Sequence, residues 1–460
     1  MNITDLKNRK IGIFGFGTEG EALLEYFKTH QIGNVSVFDE NDQTEPKKQK
    51  IKSAGATLVI GEFKKENCKG IQIAFRSPGL KLQRIKSVLD SGCDISSPTN
   101  LFFALHKGRV VAVTGTKGKS TTVGLIAKIL ELEKIPHFVG GNIGNPPINF
   151  VDKTTEQTIS VLELSSFQLE DLEYAPDTAI ILPLYTDHLD YHESQGQSFN
   201  FHESQQDYYE AKAQIVAHMS KNDLIIAHHS EHVKSFVDKS VARKIFFCEK
   251  SISDGCYISG NNVECVDGKD KAVFSTILSY CTKLKIPSVN VLAAMTFAFS
   301  NKISFVAEDL FRDFEKLPFR IQLVSKIQNL VFYNDSASTN PVSTIQAMRT
   351  MSQKYALIMG GSSKNLSFDA LAQAASQDKN IAIVYLIGQT GDEIEDELKL
   401  ADYNGQIVRK ENLEAVMDDI RANHRLFSAV LFSPASASFD QYGNYKERGE
   451  HFNKLVKNVF

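Results

Sequence analysis

Nowhere in the 460 residues is there a run of about 18 uninterrupted apolar side chains, so no segment reads as a membrane-spanning helix. The opening residues, Met1-Asn-Ile-Thr-Asp-Leu-Lys7, lack the apolar core of a secretory signal, and a soluble, cytoplasmic protein is expected. Basic residues are not in excess: 51 Lys and Arg face 55 Asp and Glu, a net charge of −4 with histidine neutral. That balance argues against a broad nucleic-acid-binding surface, which needs clustered positive charge to neutralise phosphates. Cysteine is sparse and scattered. Cys68, Cys93, Cys248, Cys256, Cys265 and Cys281 form no close pairs, a pattern that suits reduced thiols better than a zinc site or a disulfide framework. Short repeats and low-complexity segments are absent too.

What is present is enough apolar material for several cores. Hydrophobic residues make up 42% of the chain, with 30 Phe. At this length about three domains are expected, since single domains usually run to roughly 100–200 residues. Strand-like runs alternate with helical patterns, and nearly every strand ends in a Gly, Ser or Asp turn, the βαβ rhythm of parallel sheets. One block, 1–107, holds Lys10-Ile-Gly-Ile-Phe14, Val35-Ser-Val-Phe38, Thr57-Leu-Val-Ile60 and Ile71-Gln-Ile-Ala-Phe75. A second, 108–314, holds the strand from Val110, Ile159-Ser-Val-Leu-Glu-Leu164 and Ala179-Ile-Ile-Leu-Pro-Leu184. The third, 315–460, opens near Leu317-Pro-Phe-Arg320 and carries Leu330-Val-Phe-Tyr333, Tyr355-Ala-Leu-Ile-Met359, Ile381-Ala-Ile-Val-Tyr-Leu-Ile387 and Ala429-Val-Leu-Phe432. The expected fold is α/β, three domains each built on a mainly parallel sheet. Polar stretches at 194–206 and 267–271 read as surface loops, the former as a mobile one.

In Val110-Val-Ala-Val-Thr-Gly-Thr-Lys-Gly-Lys-Ser-Thr-Thr122 an apolar strand runs into a glycine- and lysine-rich turn, and a helical pattern follows from Val123. Gly115 and Gly118 would let backbone N–H groups approach phosphate oxygens. Lys119 would bring a charge to the terminal phosphates, and Ser120 or Thr121 a hydroxyl to magnesium. Val113 stands where the longer phosphate-loop pattern has glycine, so this is a shortened Gly-x-x-Gly-Lys-Ser form. Nucleotide binding is the reading preferred over a chance surface turn.

Gly15-Phe-Gly17-Thr-Glu-Gly20 follows the first strand, and Asp39 ends the next, as in a dinucleotide fingerprint. The pattern fits NAD, a UDP-sugar pyrophosphate, or glycines required only for strand–helix packing. Arg76-Ser-Pro-Gly79 would add a polar loop at the same sheet edge. In the second block Glu163 and Asp187-His188 follow strands that, if parallel to the phosphate-loop strand, deliver hard ligands and an imidazole to one carboxyl edge. Lys212, within Tyr208-Tyr-Glu-Ala-Lys-Ala-Gln-Ile-Val216, reads locally as the solvated face of a helix.

Taken together, Thr114-Gly-Thr-Lys-Gly-Lys-Ser-Thr121, Gly141-Asn-Ile-Gly144, Glu163-Leu-Ser-Ser-Phe-Gln-Leu169, Asp187-His-Leu-Asp190, Ala211-Lys212, Asn290-Val-Leu-Ala-Ala294, Leu317-Pro-Phe-Arg320, Asn334-Asp-Ser-Ala-Ser-Thr-Asn340, Gly360-Gly-Ser-Ser-Lys364 and Ser433-Pro-Ala-Ser-Ala-Ser438 resemble, in content and order, the motifs of the Mur ligases. The resemblance spans essentially the whole chain. The glycine fingerprint, the Ser-Pro-Gly loop and the Ser-Pro-Ala-x-Ala-Ser run are most similar to members that add D-glutamate to UDP-N-acetylmuramoyl-L-alanine.

That resemblance implies a Rossmann-like UDP-substrate domain, a central ATPase domain and a Rossmann-like amino-acid domain that closes onto it. Gly115, Thr116, Lys117, Gly118, Lys119, Ser120 and Thr121 would hold the ATP phosphates, joined by Asn290, Arg320 and Asp335. Gly15, Gly17, Asp39, Ser77, Gly79 and Asn142 would hold the UDP-muramoyl substrate, and Thr339, Lys364, Ser438 and Tyr445 the incoming amino acid. Two magnesium ions would be held by Ser120, Glu163, His188 and Lys212, the last as a carbamate, which turns a cation into an anionic ligand. Lys119, His188 and Lys212 would be the catalytic residues of an ATP-dependent amide ligase in peptidoglycan precursor synthesis, acting as a monomer on small molecules. Three departures stand out. Ala337 occupies a position where lysine is usual, 192–208 is longer than usual, and Tyr445 replaces phenylalanine. The rival readings are a relative that adds L-glutamate or another amino acid, an NAD-dependent dehydrogenase, and a noncatalytic homologue.

Overall fold

Runs of Ile, Val and Phe too short for a helix but bounded by turn residues set the strands, because such side chains pack on a pleated surface buried on both faces. In the computed structural model the first sheet comprises β1 (Ile11–Phe14), β2 (Val35–Asp39), β3 (Thr57–Ile60), β4 (Ile73–Arg76) and β5 (Asp94–Ser96). The structure describes residues 1–458 except 91, 144, 185–201, 203, 285, 313, 315–317, 328 and 364–366. The strand order is β3-β2-β1-β4-β5, with every pairing parallel. β1 is buried throughout.

The second sheet has nine strands: β6 (Arg109–Thr114), β7 (His137–Gly141), β8 (Ile159–Glu163), β9 (Thr178–Ile181), β10 (Leu224–His228), β11 (Arg243–Cys248), β12 (Gly255–Ser259), β13 (Asn262–Asp267) and β14 (Asp270–Phe274). Its order, β14-β13-β12-β11-β10-β9-β6-β8-β7, puts β6 between β9 and β8. Pairing is parallel from β7 to β12, and β13 and β14 extend the edge antiparallel. The 267–271 stretch is the tight β13–β14 turn, a surface feature as expected.

The third sheet, β15 (Gln322–Ile327), β16 (Leu330–Asn334), β17 (Tyr355–Gly360), β18 (Ile381–Ile387), β19 (Gln406–Arg409) and β20 (Ala429–Phe432), is parallel apart from β15. One sheet therefore lies in each of the ranges 1–107, 108–314 and 315–460. The chain packs as two compact units, Met1–Phe314 and Glu315–Phe460, so the first two sheets share a body.

Arg76, at the end of β4 and fully buried, staples those two sheets. Its guanidinium reaches Asp171 at 2.8 Å and Glu170 at 3.2 Å, and donates to the carbonyls of Leu80 and Phe167. A buried cation so saturated is costly to break, on the order of 3–5 kcal/mol when a partner is removed.

Two expectations fail here. Cys256 and Cys265 face each other in the β12–β13 register and form a disulfide, so not all six thiols are free. Their separation in sequence hides a pairing that the hairpin creates; Cys68, Cys93, Cys248 and Cys281 remain as thiols. Of the 194–206 stretch only 202 and 204–206 are described, and these are not plain surface loop, because His202 is buried and Ser204 caps the helix Gln205–Ala217. Residues 185–201 lie outside the described residues, and the expectation of mobility with them. Among the described residues no helix is long and apolar enough to cross a membrane.

Candidate active site

β6 ends at Thr114, and the chain turns through Gly115 (φ +147°) and Gly118 (φ +85°) into the helix Lys119–Leu132. Glycine is required at 118 for two reasons. The left-handed backbone disfavours any Cβ, and a Cβ there would overlap the Asn290 amide. Asn290, buried on the helix Ser288–Ser300, donates from Nδ2 to the Gly118 carbonyl (2.5 Å) and to Thr122 Oγ1 (3.2 Å). Lys119 Nζ rests on the carbonyls of Gly115 (2.9 Å) and Thr116 (3.1 Å). Thr116 is buried, whereas Lys117, Lys119 and Thr121 are partly exposed.

Ser120, not Thr121, faces the neighbouring strand. Its hydroxyl donates to Glu163 Oε2 at 2.5 Å, and Asn142 Nδ2 donates to the other carboxylate oxygen at 3.2 Å. Glu163, at the end of β8, is only 1% exposed, and these partners are neutral. A carboxylate that deep ordinarily demands a cation, so an oxygen-rich site with Ser120 fits a hard divalent ion.

Lys212 is not on a solvated face. It is 1% exposed, with Nζ 3.4 Å from Thr114 Oγ1 and 4.7 Å from the centre of the Tyr208 ring. The helix Gln205–Ala217 lays this face on β6, which a local pattern with weak amphipathicity does not reveal. Tyr208 in turn donates to Thr116 Oγ1 at 3.0 Å. Beside it, His202 stacks on Phe167 and bonds Ser166 Oγ at 2.8 Å. Burial lowers the His202 pKa against the pull of Asp207. Thr114, Gly115, Lys119, Ser120, Glu163, Asn142, Asn290 and Lys212 are thus assembled around one sheet edge. His188 lies outside the described residues.

In the first sheet, Gly15 (φ +85°) leaves β1 and Gly17 caps the helix Thr18–Thr29. Asp39 accepts from the Phe16 N–H (2.7 Å) and the Asn41 N–H (3.0 Å), so it holds the glycine loop in place. Ser77 donates its N–H to Phe14 O, and exposed Gly79 follows in the adjoining turn. The first turn of the helix Thr18–Thr29 carries Glu19, which the motif leaves as an unspecified position. Gln168 donates to it at 2.6 Å, and burial pushes its carboxyl up to about 7 despite that bond.

In the Glu315–Phe460 unit, Asp335 follows β16. It accepts from Ser338 Oγ (2.6 Å), Ser433 Oγ (2.7 Å) and the Ile321 N–H (3.1 Å). Burial raises its pKa to about 6, with those bonds and Arg320 opposing. Arg320 is exposed between Phe319 (φ +67°) and Ile321 (φ +47°), two side chains in a region that costs roughly 1–3 kcal/mol each. Thr339 is half-buried in the loop after β16, Ser438 is buried after β20, and Tyr445 begins the helix Tyr445–Lys457. Lys364 lies outside the described residues.

The residue that motif matching misses is Arg448. It is 1% exposed and donates to Ser336 Oγ and to the carbonyls of Ser336, Ser436 and Ala437 at 2.8–3.1 Å. It ties the loop of Asp335 to the loop of Ser438. Its only signal in sequence is an arginine on the buried face of the last helix, next to Gly449.

Residues 113–298 match the Mur ligase middle domain. The UDP-N-acetylmuramoylalanine–D-glutamate ligase of Clostridioides difficile (strain 630) is 31% identical over 465 residues, covering 99% of this chain and 100% of the relative. That of Acetivibrio thermocellus is 29% identical over 472 residues, covering 99% and 97%. Among solved structures, the UDP-N-acetylmuramate–alanine ligase of Thermotoga maritima is similar in fold with a TM-score of 0.59, at 16% identity and 98% coverage of this chain and 100% of that one. The MurF ligase of the same organism, solved with ADP, gives 0.54 at 15% identity, covering 100% and 97%. With a relative this similar along its entire length and a phosphate loop built on the matched domain, the chain belongs to the Mur ligase family.

Proposed function

We propose that the protein is an ATP-dependent amide ligase that joins D-glutamate to UDP-N-acetylmuramoyl-L-alanine, a cytoplasmic step of peptidoglycan precursor synthesis. The observation that carries this reading is the Ser120–Glu163–Lys212 cluster beside the Gly115–Lys119 turn, in a chain alike from end to end to D-glutamate ligases. ATP use is further supported by the family and by the ADP found in a neighbour of the same fold.

The chemistry is acyl activation followed by amide formation. A carboxylate is a poor acylating agent, so its oxygen first attacks the γ-phosphorus of ATP. That O–P bond forms as the bond to the β-phosphate oxygen breaks, leaving an acyl phosphate and ADP. The glutamate amine then attacks the acyl carbon, the C–O bond to phosphate breaks, and inorganic phosphate and a proton are released. Catalysis of such transfers is mainly positioning and charge stabilisation.

Backbone N–H groups of residues 115–121 and the Lys119 ammonium would cradle the phosphates, Lys119 exchanging its two loop carbonyls for phosphate oxygens. Ser120 and Glu163 would hold one magnesium ion, and His188 with a carbamylated Lys212 a second; bound there, magnesium neutralises charge on the transferring group. Burial of Lys212 against Thr114 and Tyr208 supports the carbamate, because such a site favours consuming a buried ammonium's charge or pairing its anionic product with a cation. Asn290 braces the loop from behind. The first sheet's Gly15, Gly17, Asp39, Ser77 and Gly79, with Asn142, would receive the UDP-muramoyl substrate, and 1–107 and 108–314 would act as separate substrate and ATP domains. Arg320 and Asp335 would serve the nucleotide, and Thr339, Lys364, Ser438 and Tyr445 the amino acid.

Phosphate release with UDP-N-acetylmuramoyl-L-alanine, ATP and magnesium tests this directly. Release that depends on D-glutamate is expected. Release preferring L-glutamate reassigns the amino acid, and none with either isomer refutes the ligase reading.

A further inference from the structure

We propose that His228, Cys248 and Glu249 form a second, separate cation site, one that takes a thiophilic divalent transition ion, with zinc the occupant its chemistry favours. β10 ends at His228 and the parallel strand β11 ends at Cys248, and the register pairs His228 with Phe247. Cys248 and Glu249 therefore pass directly beside the imidazole. One nitrogen of His228, the Cys248 sulfur and a Glu249 carboxylate oxygen lie within 4.8 Å of one another. Ligands of a tetrahedral zinc stand roughly 3.3–3.8 Å apart, given bond lengths of about 2.0–2.3 Å, so a shift of about an ångström in these side chains closes the site.

His228 Nε2 already lies 3.3 Å from Glu249 Oε2, so imidazole and carboxylate face each other where an ion would sit between them. The donor set also chooses its ion. Thiolate and imidazole disfavour magnesium and calcium, which take oxygen ligands, and suit zinc or its neighbours. Three protein ligands leave the fourth position to water.

This site shares no ligand with the Ser120–Glu163 pair. β10 is two strands from β6, on the same carboxyl edge, which is roughly 10 Å at about 4.8 Å per strand. Its ligands come from two strands about twenty residues apart, a spacing unlike that of a zinc ribbon or finger.

The test is cobalt titration of the full-length, metal-stripped protein under anaerobic conditions, with excess magnesium present to fill hard-oxygen sites. One equivalent of Co2+ should produce a near-ultraviolet thiolate-to-cobalt charge-transfer band that zinc abolishes. Cys248→Ser should remove the band, and Cys93→Ser should keep it. Outer-shell partners alone are worth about 10–100-fold in metal affinity, so His228→Ala and Glu249→Gln should each weaken binding by at least about tenfold. Far-ultraviolet circular dichroism checks that each variant stays folded. A wild-type protein without the band, or a band that survives Cys248→Ser in folded protein, overturns the proposal.

Discussion

Replacing Gly118 by alanine isolates how the phosphate loop is held. At φ +85° an L-residue costs about 1–2 kcal/mol relative to glycine. The new Cβ also collides with the Asn290 amide, which must swing away and give up its bonds to Gly118 O and Thr122 Oγ1. Leaving that buried amide unsatisfied adds about 1–3 kcal/mol. The expected total is roughly 2–5 kcal/mol, and with about 2 °C per kcal/mol for a unit of this size the melting temperature should fall by about 4–10 °C. The sequence has no tryptophan, so circular dichroism is the natural probe. In an Asn290→Ala background the collision is gone and only the backbone cost of about 1–2 kcal/mol remains. A double-mutant cycle should therefore give a coupling of about 1–3 kcal/mol. Strictly additive costs would refute the claim that Asn290 is what fills the space over Gly118.

Lys212→Ala should lower phosphate release by about a hundredfold or more, as loss of a charge-stabilising group does, and short carboxylates should restore part of it. Full activity in the plain variant rejects the carbamate. Arg448→Met leaves the Ser336 and Ser436 carbonyls without their donor, while Ala437 keeps the Ser362 N–H, so thermal unfolding should show a loss of about 2–4 kcal/mol. It should also raise KM for both ATP and glutamate, because the two loops released carry Asp335 and Ser438. Glu19 predicts a pH effect. Its folded pKa, about 7, lies above the ordinary glutamate value of 4.5, so the folded state holds the proton more tightly. The stability tied to that proton is complete below about 4.5 and is lost as pH rises through about 7. Glu19→Gln should flatten this dependence, the two proteins diverging by on the order of 2–3 kcal/mol between acid and about pH 8 in paired melts.

The parts legible in sequence are those where one short segment carries its own physics. β1, β6, β8, β17 and β18 are nearly continuous apolar runs, as strands buried on both faces must be. Gly118 and Ser120 are likewise specified locally, by a turn that needs positive φ and a helix that must start beside a phosphate. β5 is three residues with one apolar side chain, and β14 is mostly exposed, so neither edge strand announces itself. β10 has the apolar signal in Leu224-Ile-Ile-Ala but ends in His228-His229 instead of a glycine turn. Lys212 and Arg448 are the instructive cases. Both are cations buried to 1%, and both sit on polar helices whose own residues say solvent. What buries them is the strand or loop brought over them by the rest of the fold. Local composition sets a prior toward exposure, and only the assembled carbonyls around Arg448, or the hydroxyl and ring around Lys212, reverse it. Charge on a polar helix is therefore least legible at the positions where a motif match, which carries tertiary information, adds most.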